Sequence, residues 1–573
     1  LALVQGNEFN INKNIDLVER IADCLASDGR YQEAEVLYKE LMRIKEERHG
    51  HGNPSTLRSM ANLASTYRYR GRWNEAEKLF KQVIQIWKTA LGAEHPNTLS
   101  STANLALTYY NQGRWNEAEE LDMRVMETRK IVLGAEHPDT LMSMANLATT
   151  YRNRGRWNEA EKLDMQVMET RKIVLGAEHP DTLMSMANLA STYRNQGRWN
   201  EAEKLEVKVI ETRKTVLGAE HPDTLSSMAN LASTYWNQGR WSEAEELDMQ
   251  VIEIRKTVLG AKHPDTLMSM ANLASTYQNQ GRWNEAEKLG LQVVEISKTA
   301  LGAEHPSTLT SIANLASTYR HQRRWDKAEE LFQQVIEIRK IVLGAAHPST
   351  LTSMANLALT YCNQGRWNEA GKLHMQTIQV RKVVLGAEHP DTLRSMASLA
   401  STYWNQGRWN EAEKLDMQVM EARKIVLGAE HPDTLSSMAN LAYAWQSQRR
   451  LPDALALMEA CCRLRNKVLG PDHPHTRDSF HALNNWEDQH KSLLSENLLP
   501  SNTQIEQSER LPEVIVRHNA AATTAQSRSE EHLNLPHTQR RLAAGFFLGD
   551  HPLIIASRAL SPAPGRQDLH EVD

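Results

Sequence analysis

Residues 179–199 read HPDTLMSMANLASTYRNQGRW, and residues 221–241 read HPDTLSSMANLASTYWNQGRW. The His-Pro pair that opens both returns at His95, His137, His179, His221, His263, His305, His347, His389, His431 and His473, always 42 residues apart. Asn53-Pro54 continues the series backwards. Residues 135–176 and 177–218 agree at 35 of 42 places. So strict a register marks an array of one repeated unit, which overrides the several separate domains that 573 residues would suggest by length alone.

One unit reads as two helices. Leu183, Met186, Leu189, Ala190 and Tyr193 fall on one side at the 3.6-residue period. Asp181 is expected to cap this helix, its carboxylate accepting free backbone N–H groups, and Gly197 to end it in the left-handed conformation that glycine tolerates. Asn200 to Glu203 is expected to cap a second helix, with an acid at its third position and Ala202, Leu205, Val209 and Val216 as its buried stripe. Leu217-Gly218 closes it. A hairpin with one apolar side per helix cannot bury that surface alone, and stacking solves the problem, as in solenoids. Nine Trp residues at the hairpin corner (Trp73, Trp115, Trp157, Trp199, Trp241, Trp283, Trp325, Trp367 and Trp409) read as packing wedges. Arg323 and Arg449 replace the turn glycine, at a cost of about 1 kcal/mol each if the turn geometry is kept.

The signature Met60-x2-Leu63-Ala64-x2-Tyr67, followed by Gly71 and Ala76-x3-Phe80, resembles that of tetratricopeptide repeats, with Met in place of their Trp. Only Ala76-x3-Phe80 and Ala328-x3-Phe332 keep the second aromatic; Asp122, Asp164, Glu206, Asp248, Gly290, His374 or Asp416 hold that place elsewhere. The long second helix, with RKIVLGAEHPDTL and MANLASTY, is similar to the 42-residue repeat of kinesin light chains. The near-identity between units resembles still more the arrays that end many fungal NB-ARC or NACHT receptor-like proteins. The resemblance spans about 14–490. It implies an all-α fold, a right-handed α-α superhelix that binds protein or peptide partners along a concave groove.

The units count as eleven hairpins: one starting near Ile15, nine between Ser55 and Gly428, and one from Pro432 to Gly470. Thr476 to Leu494 reads as a solitary capping helix. The expected organisation is therefore a lead-in at 1–13, the superhelix at 14–494 and a largely disordered tail at 495–573. Within the tail, RLAAGFFLGDHPLIIASRAL (541–560) is apolar enough to be expected to dock, the array itself being one candidate surface.

Near-identity makes the exceptions informative. Opposite the apolar stripe of each first helix, one place varies (Ser100, Met184, Thr310) and the next is almost always Asn: Asn62, Asn104, Asn146, Asn188, Asn230, Asn272, Asn314, Asn356 and Asn440. Asn is about 0.6 kcal/mol worse than Ala inside a helix, so nine copies need a reason. Either each amide bonds a neighbouring helix, or the amides form a ladder that holds the main chain of an extended peptide without reading its sequence. In arrays of the resembled kind the matching Asn lines the groove. A further, most changeable place holds Arg68, Tyr110, Arg152, Arg194, Trp236, Gln278, Arg320, Cys362 and Trp404. It favours Arg and aromatics, the residues of binding hot spots, and is expected to tune an inner surface.

Several chemistries are excluded. A net charge of −5 suggests neither a nucleic-acid footprint nor a polybasic membrane anchor. No apolar run approaches the roughly 20 residues of a membrane span, and LALVQGNEFN carries no basic secretory region, so a cytoplasmic location is expected. The missing initiator Met implies a piece of something longer. Four cysteines fit neither a disulfide framework nor a zinc site, and Cys461-Cys462 reads as helix packing. The glycines of GRWNEAGKL (365–373) lack P-loop spacing, and the His-Pro histidines read as turn residues with no second ligand beside them. No catalytic constellation stands outside the repeat, so neither an enzyme nor a cofactor is expected. Two roles remain for such a scaffold: the recognition part of a receptor-like protein, or a cargo adaptor of kinesin-light-chain type. The adaptor should carry heptads ahead of the repeats, and only about 13 residues precede the first hairpin, which favours the receptor-like role.

Overall fold

The computed structural model describes residues 14–497, all of them helix or short connection. Ile15–Ser27 and Tyr31–His49 form the first hairpin. Nine more run from Pro54–Tyr69 with Trp73–Leu91 to Pro390–Asn405 with Trp409–Val426. Pro432–Ser447 and Leu451–Leu469 make the eleventh, and Pro474–Asn497 is the single closing helix. The fold is the expected helical solenoid of hairpins. The chain forms two compact units that part between Ser437 and Met438. The lead-in at 1–13 and the tail from 498 on, with its apolar stretch, lie outside the described residues.

The punctuation differs from expectation at both helix starts. The first helix of a repeat begins at the proline, whose fixed φ suits the first helical position and which has no N–H to satisfy. The histidine before it therefore becomes the cap: His179 has extended dihedrals (φ −62°, ψ 137°), and its Nδ1 accepts the N–H of Asp181 at 3.1 Å. Asp181 is not the cap but the first-turn acid. The second helix begins at Trp199 after Arg198, which makes no side-chain cap, so the expected cap by Asn200 to Glu203 does not form. Arg198 instead reaches Glu201 (2.6 Å) and, in the preceding hairpin, Glu161 (2.7 Å), while its guanidinium lies 4.1 Å from the Tyr193 ring centre. From Arg72 to Arg366 the arginine at this place staples successive hairpins. The turn glycines hold positive φ, and Arg323 (62°) and Arg449 (63°) keep the same geometry.

The core lies between the two helices of each hairpin and the next. Leu183, Met186, Leu189, Ala190, Ala202 and Val209 are buried, and Leu205 packs against them. Val216, expected in the stripe, is exposed. Each full burial of a Leu or Val contributes about 1.5–3 kcal/mol. The corner tryptophans close the turn, as when Trp157 Nε1 donates to the Arg152 carbonyl at 3.0 Å. In the second unit Cys461 and Cys462 are both buried as free thiols.

The first unit returns on itself after six repeats. His305, His347, His389 and His431 each bond through Nε2 to a main-chain oxygen 236 residues earlier, those of Tyr69, Asn111, Asn153 and Asn195, at 2.8–3.2 Å. Nδ1 already accepts a backbone N–H, so the neutral ring carries its proton on Nε2 and donates it. The neighbouring prolines press on the earlier turns: a Cβ on Gly71 would stand 2.5 Å from Pro306 Cδ, and one on Gly155 equally close to Pro390 Cδ. Trp73, Trp115 and Trp157 stack on His347, His389 and His431 with ring centres 5.4–5.7 Å apart. These tryptophans wedge two layers of repeats as well as one corner. The His-Pro motif is therefore more than a local turn, although each copy is far from the next in sequence.

Candidate functional site

The asparagine row sits on the first helices. Asn146, Asn188 and Asn356 are buried, whereas Asn62, Asn104, Asn230, Asn272, Asn314 and Asn440 are half-buried. Asn104 Nδ2 donates to the Ser100 carbonyl one turn back, at 3.1 Å. A second amide, seven residues on, does likewise: Asn279 and Asn405 donate to the carbonyls of Ser275 and Ser401 at 2.9 and 2.8 Å. Two rows of amides thus share this side of the helices, with one donor of each of these side chains held by its own backbone.

The changeable column has a different position from the open inner surface expected of it. Arg68, Arg152, Arg194 and Arg320 are buried, and Tyr110, Trp236, Gln278 and Trp404 are half-buried. Their partners lie inside the array. Arg152 pairs with buried Asp164 of its own hairpin at 2.8 Å and reaches Thr192 of the next at 3.2 Å. Arg194 pairs with Glu206 at 3.3 Å. Gln278 donates to Thr318 Oγ1 (2.7 Å), and Cys362 Sγ lies 3.4 Å from Thr402 Oγ1. The column is a buried polar seam between repeats, which corrects its reading as a hot-spot surface.

The seam also accounts for what replaced the second aromatic. Four acids twelve residues after a column residue, Asp122, Asp164, Glu206 and Asp248, bind the threonine of the following repeat, as in Asp122–Thr150 (2.8 Å) and Asp164–Thr192 (2.6 Å). Burial pushes the acids at this place up with or without a column arginine: Asp122 and Glu206 to about 7, and Asp248 and Asp416 each to about 8, the Arg194 charge offsetting part of the rise at Glu206. Where phenylalanine stands in for the acid, the arginine is the unpaired member, and burial brings Arg320 down to about 10. Trp236 and Trp404 hold their indole N–H groups buried with no acceptor among the described residues.

Sequence reasoning missed a second buried cation. Arg339 and Arg381, near the ends of second helices, are each about 1% exposed. Arg339 donates to the Ser349 carbonyl and Ser353 Oγ, both at 2.7 Å, and to Thr310 Oγ1 at 2.8 Å. Four hydroxyls at the varied first place of the helix, Ser100, Ser226, Thr310 and Thr352, accept from such an arginine. The signal was an arginine at one place in nearly every repeat, but a charged residue in a long helix reads as solvated. Gly365 belongs to a turn and Gly371 to the middle of Trp367–Val384, so the 365–373 stretch forms no phosphate loop. Among the described residues no three His, Cys, Asp or Glu gather as metal ligands, and no helix is long and apolar enough to cross a membrane.

The arrangement, then, offers amide rows and stacked turns, with its ionisable groups committed to inter-repeat contacts. Among solved structures, a Podosopora anserina protein with nearly identical TPR-like repeats, described as a kinesin light chain, is 37% identical over 36% of this chain and 97% of that one, with a TM-score of 0.32. BtubC from P. vanneervenii is 19% identical over 41% of this chain and 91% of its own, with a TM-score of 0.33. A Rap protein complexed with competence and sporulation factor is 9% identical over 65% and 99%, with a TM-score of 0.43. No curated protein matches significantly. The tetratricopeptide repeat family matches in nine overlapping stretches from 15–89 to 349–424, and a second description of the same repeat matches 434–475. Hairpins, signature residues and family match agree: this chain belongs to the tetratricopeptide repeat family.

Proposed function

We propose that this chain is a non-catalytic scaffold that holds an extended segment of a protein partner along the face built by its first helices. The observation that carries the reading is the asparagine row, one amide every 42 residues, six of the nine only half-buried. An amide presents donor and acceptor together, so a row of them matches the alternating N–H and C=O groups of an extended main chain. The Arg, Tyr, Trp and Gln column supports that face from below, by holding the spacing of successive first helices. Membership in a family of interaction repeats favours the same conclusion. The partner is a protein or peptide rather than nucleic acid or membrane, given the mild negative charge.

The biological setting we infer is the recognition part of a receptor-like protein with an NB-ARC or NACHT nucleotide-binding domain elsewhere, because the units are so nearly identical. A kinesin-light-chain-like cargo adaptor in the cytoplasm is the alternative. The coding sequence on the N-terminal side separates them: a P-loop domain supports the first and heptads the second. The binding face is tested by selecting peptides from a displayed library on the wild-type chain, then measuring them on a variant with Asn230, Asn272 and Asn314 all changed to Ala. Binding is expected to fall at least about tenfold with helical content unchanged. Undiminished binding refutes the face.

A further inference from the structure

The same turn is covered in the early repeats and bare in the late ones. Gly71, Gly113, Gly155 and Gly197 each lie under a proline from six repeats on, whereas among the described residues nothing lies within 4 Å of a Cβ placed on Gly281, Gly365 or Gly407. Trp367 is 38% exposed, although Trp115, its equivalent, is capped by His389. A hollow of about 480 Å³ opens at one bare turn, lined by Gly281, Trp283 and Arg324, where the covered turns receive a histidine ring. The complementary edge is bare at the other end of the unit: Pro96, Pro138 and Pro180 are exposed, whereas Pro390, in the same motif, is buried.

We propose that these two bare edges bind each other between copies, so that the chain associates head to tail through the contact it already makes with itself. The occupant is a second copy because the early His-Pro edge repeats, at the same 42-residue spacing, the motif that covers the turns within the chain. One register suits the exceptions. With Pro54 of the second copy over Gly365 and Pro96 over Gly407, no proline comes to Arg323, whose side chain at that turn would clash with one. His95 then stacks on Trp367 and donates to the carbonyl of Asn405, by analogy with the intrachain bonds. A contact between two different surfaces leaves one of each unused, so it runs on past the dimer.

Sedimentation velocity on the full chain, over about a hundredfold range of concentration, tests the idea. Gly365→Arg with Gly407→Arg blocks one edge; Arg323 and Arg449 hold the same left-handed turn, so these variants fold. Pro54→Glu with Pro96→Glu blocks the other, at exposed positions. The wild type is expected to grow with concentration beyond a dimer, and each blocked variant to need at least about tenfold more protein to associate. An equal mixture of the two variants has one intact edge of each kind, and is expected to form dimers and nothing larger. A wild type that stays monomeric, variants that associate like the wild type, or a mixture that stays monomeric overturns the proposal.

Discussion

A methyl group added to Gly155 and, separately, to Gly365 isolates the energy of contact between layers of repeats. Both residues are left-handed, at φ +72° and +78°, so alanine at either place carries a similar backbone strain of about 1 kcal/mol. At Gly365 nothing among the described residues lies within 4 Å of the new carbon. At Gly155 it would stand 2.5 Å from Pro390 Cδ and 3.0 Å from Cγ. That ring cannot swing aside cheaply: it begins a helix, and His389 beside it donates to the Asn153 carbonyl at 2.8 Å. Overpacking of this kind costs about 1–3 kcal/mol, so Gly155→Ala is expected to lose about 2–4 kcal/mol in all against about 1 for Gly365→Ala. The loss has a ceiling, because the array can relieve the clash by parting its layers and giving up the His389 bond and the Trp115–His389 stack. The guanidinium midpoint and the small-angle scattering radius of both variants are the measurements. Gly155→Ala is expected to have the lower midpoint and the larger radius, and equal values for the two variants would refute the reasoning.

Acid should weaken the same contact, since burial brings His347 down to about 4, with the Arg339 guanidinium lowering it further, and lowers His389 and His431 too. The folded state then binds fewer protons than the unfolded one, so this stability is whole above about pH 6.5 and drains as pH falls toward 4. Changing the three histidines to Asn, which already caps the equivalent helix at Asn53, should flatten the fall of the denaturation midpoint between those values relative to wild type. The buried acids slope the other way. Burial raises Asp248 to about 8, so the folded state binds the extra proton and the residue costs stability as pH rises from its ordinary carboxylate value through 8. Asp248→Asn, which keeps an oxygen for Thr276, should raise the midpoint more at about pH 8 than at about pH 5, and a gain independent of pH would contradict the assignment.

The hairpins were legible because their signals are local. A proline that can only begin a helix, a glycine at positive φ and an apolar stripe recur in most units, and each acts within a few residues. The cap was misread at Asp181 because acids usually cap helices, while the proline at position 180 obliges the histidine before it to take extended dihedrals and serve instead. The column was misread for another reason. One helix shows which residues oppose its apolar stripe, and in a single helix that side looks free; in a solenoid the next hairpin covers part of it. A trace of the pairing does stand in the sequence, twelve residues apart: Arg152 with Asp164 and Arg194 with Glu206, but Arg68 with Phe80 and Arg320 with Phe332. Those last two rule out a strict charge code and hid the seam.

Contact between layers was beyond sequence reasoning for a geometrical reason. It depends on the rotation per repeat summed over six repeats, and a small change in that angle would carry His389 past Asn153. Ten nearly equal His-Pro pairs therefore do unequal work. Each of His179 and His389 caps its own helix, at 3.1 Å in both. Only His389 has an earlier layer to hold, and Pro180 is exposed where Pro390 is buried. Uniform letters thus acquire position-dependent roles, which is also why glycine can be lost at turn 323 but not at turn 155. An Arg323 under a proline would face the 2.5 Å clash of Gly155, whereas a bare turn bears only the strain of its own φ.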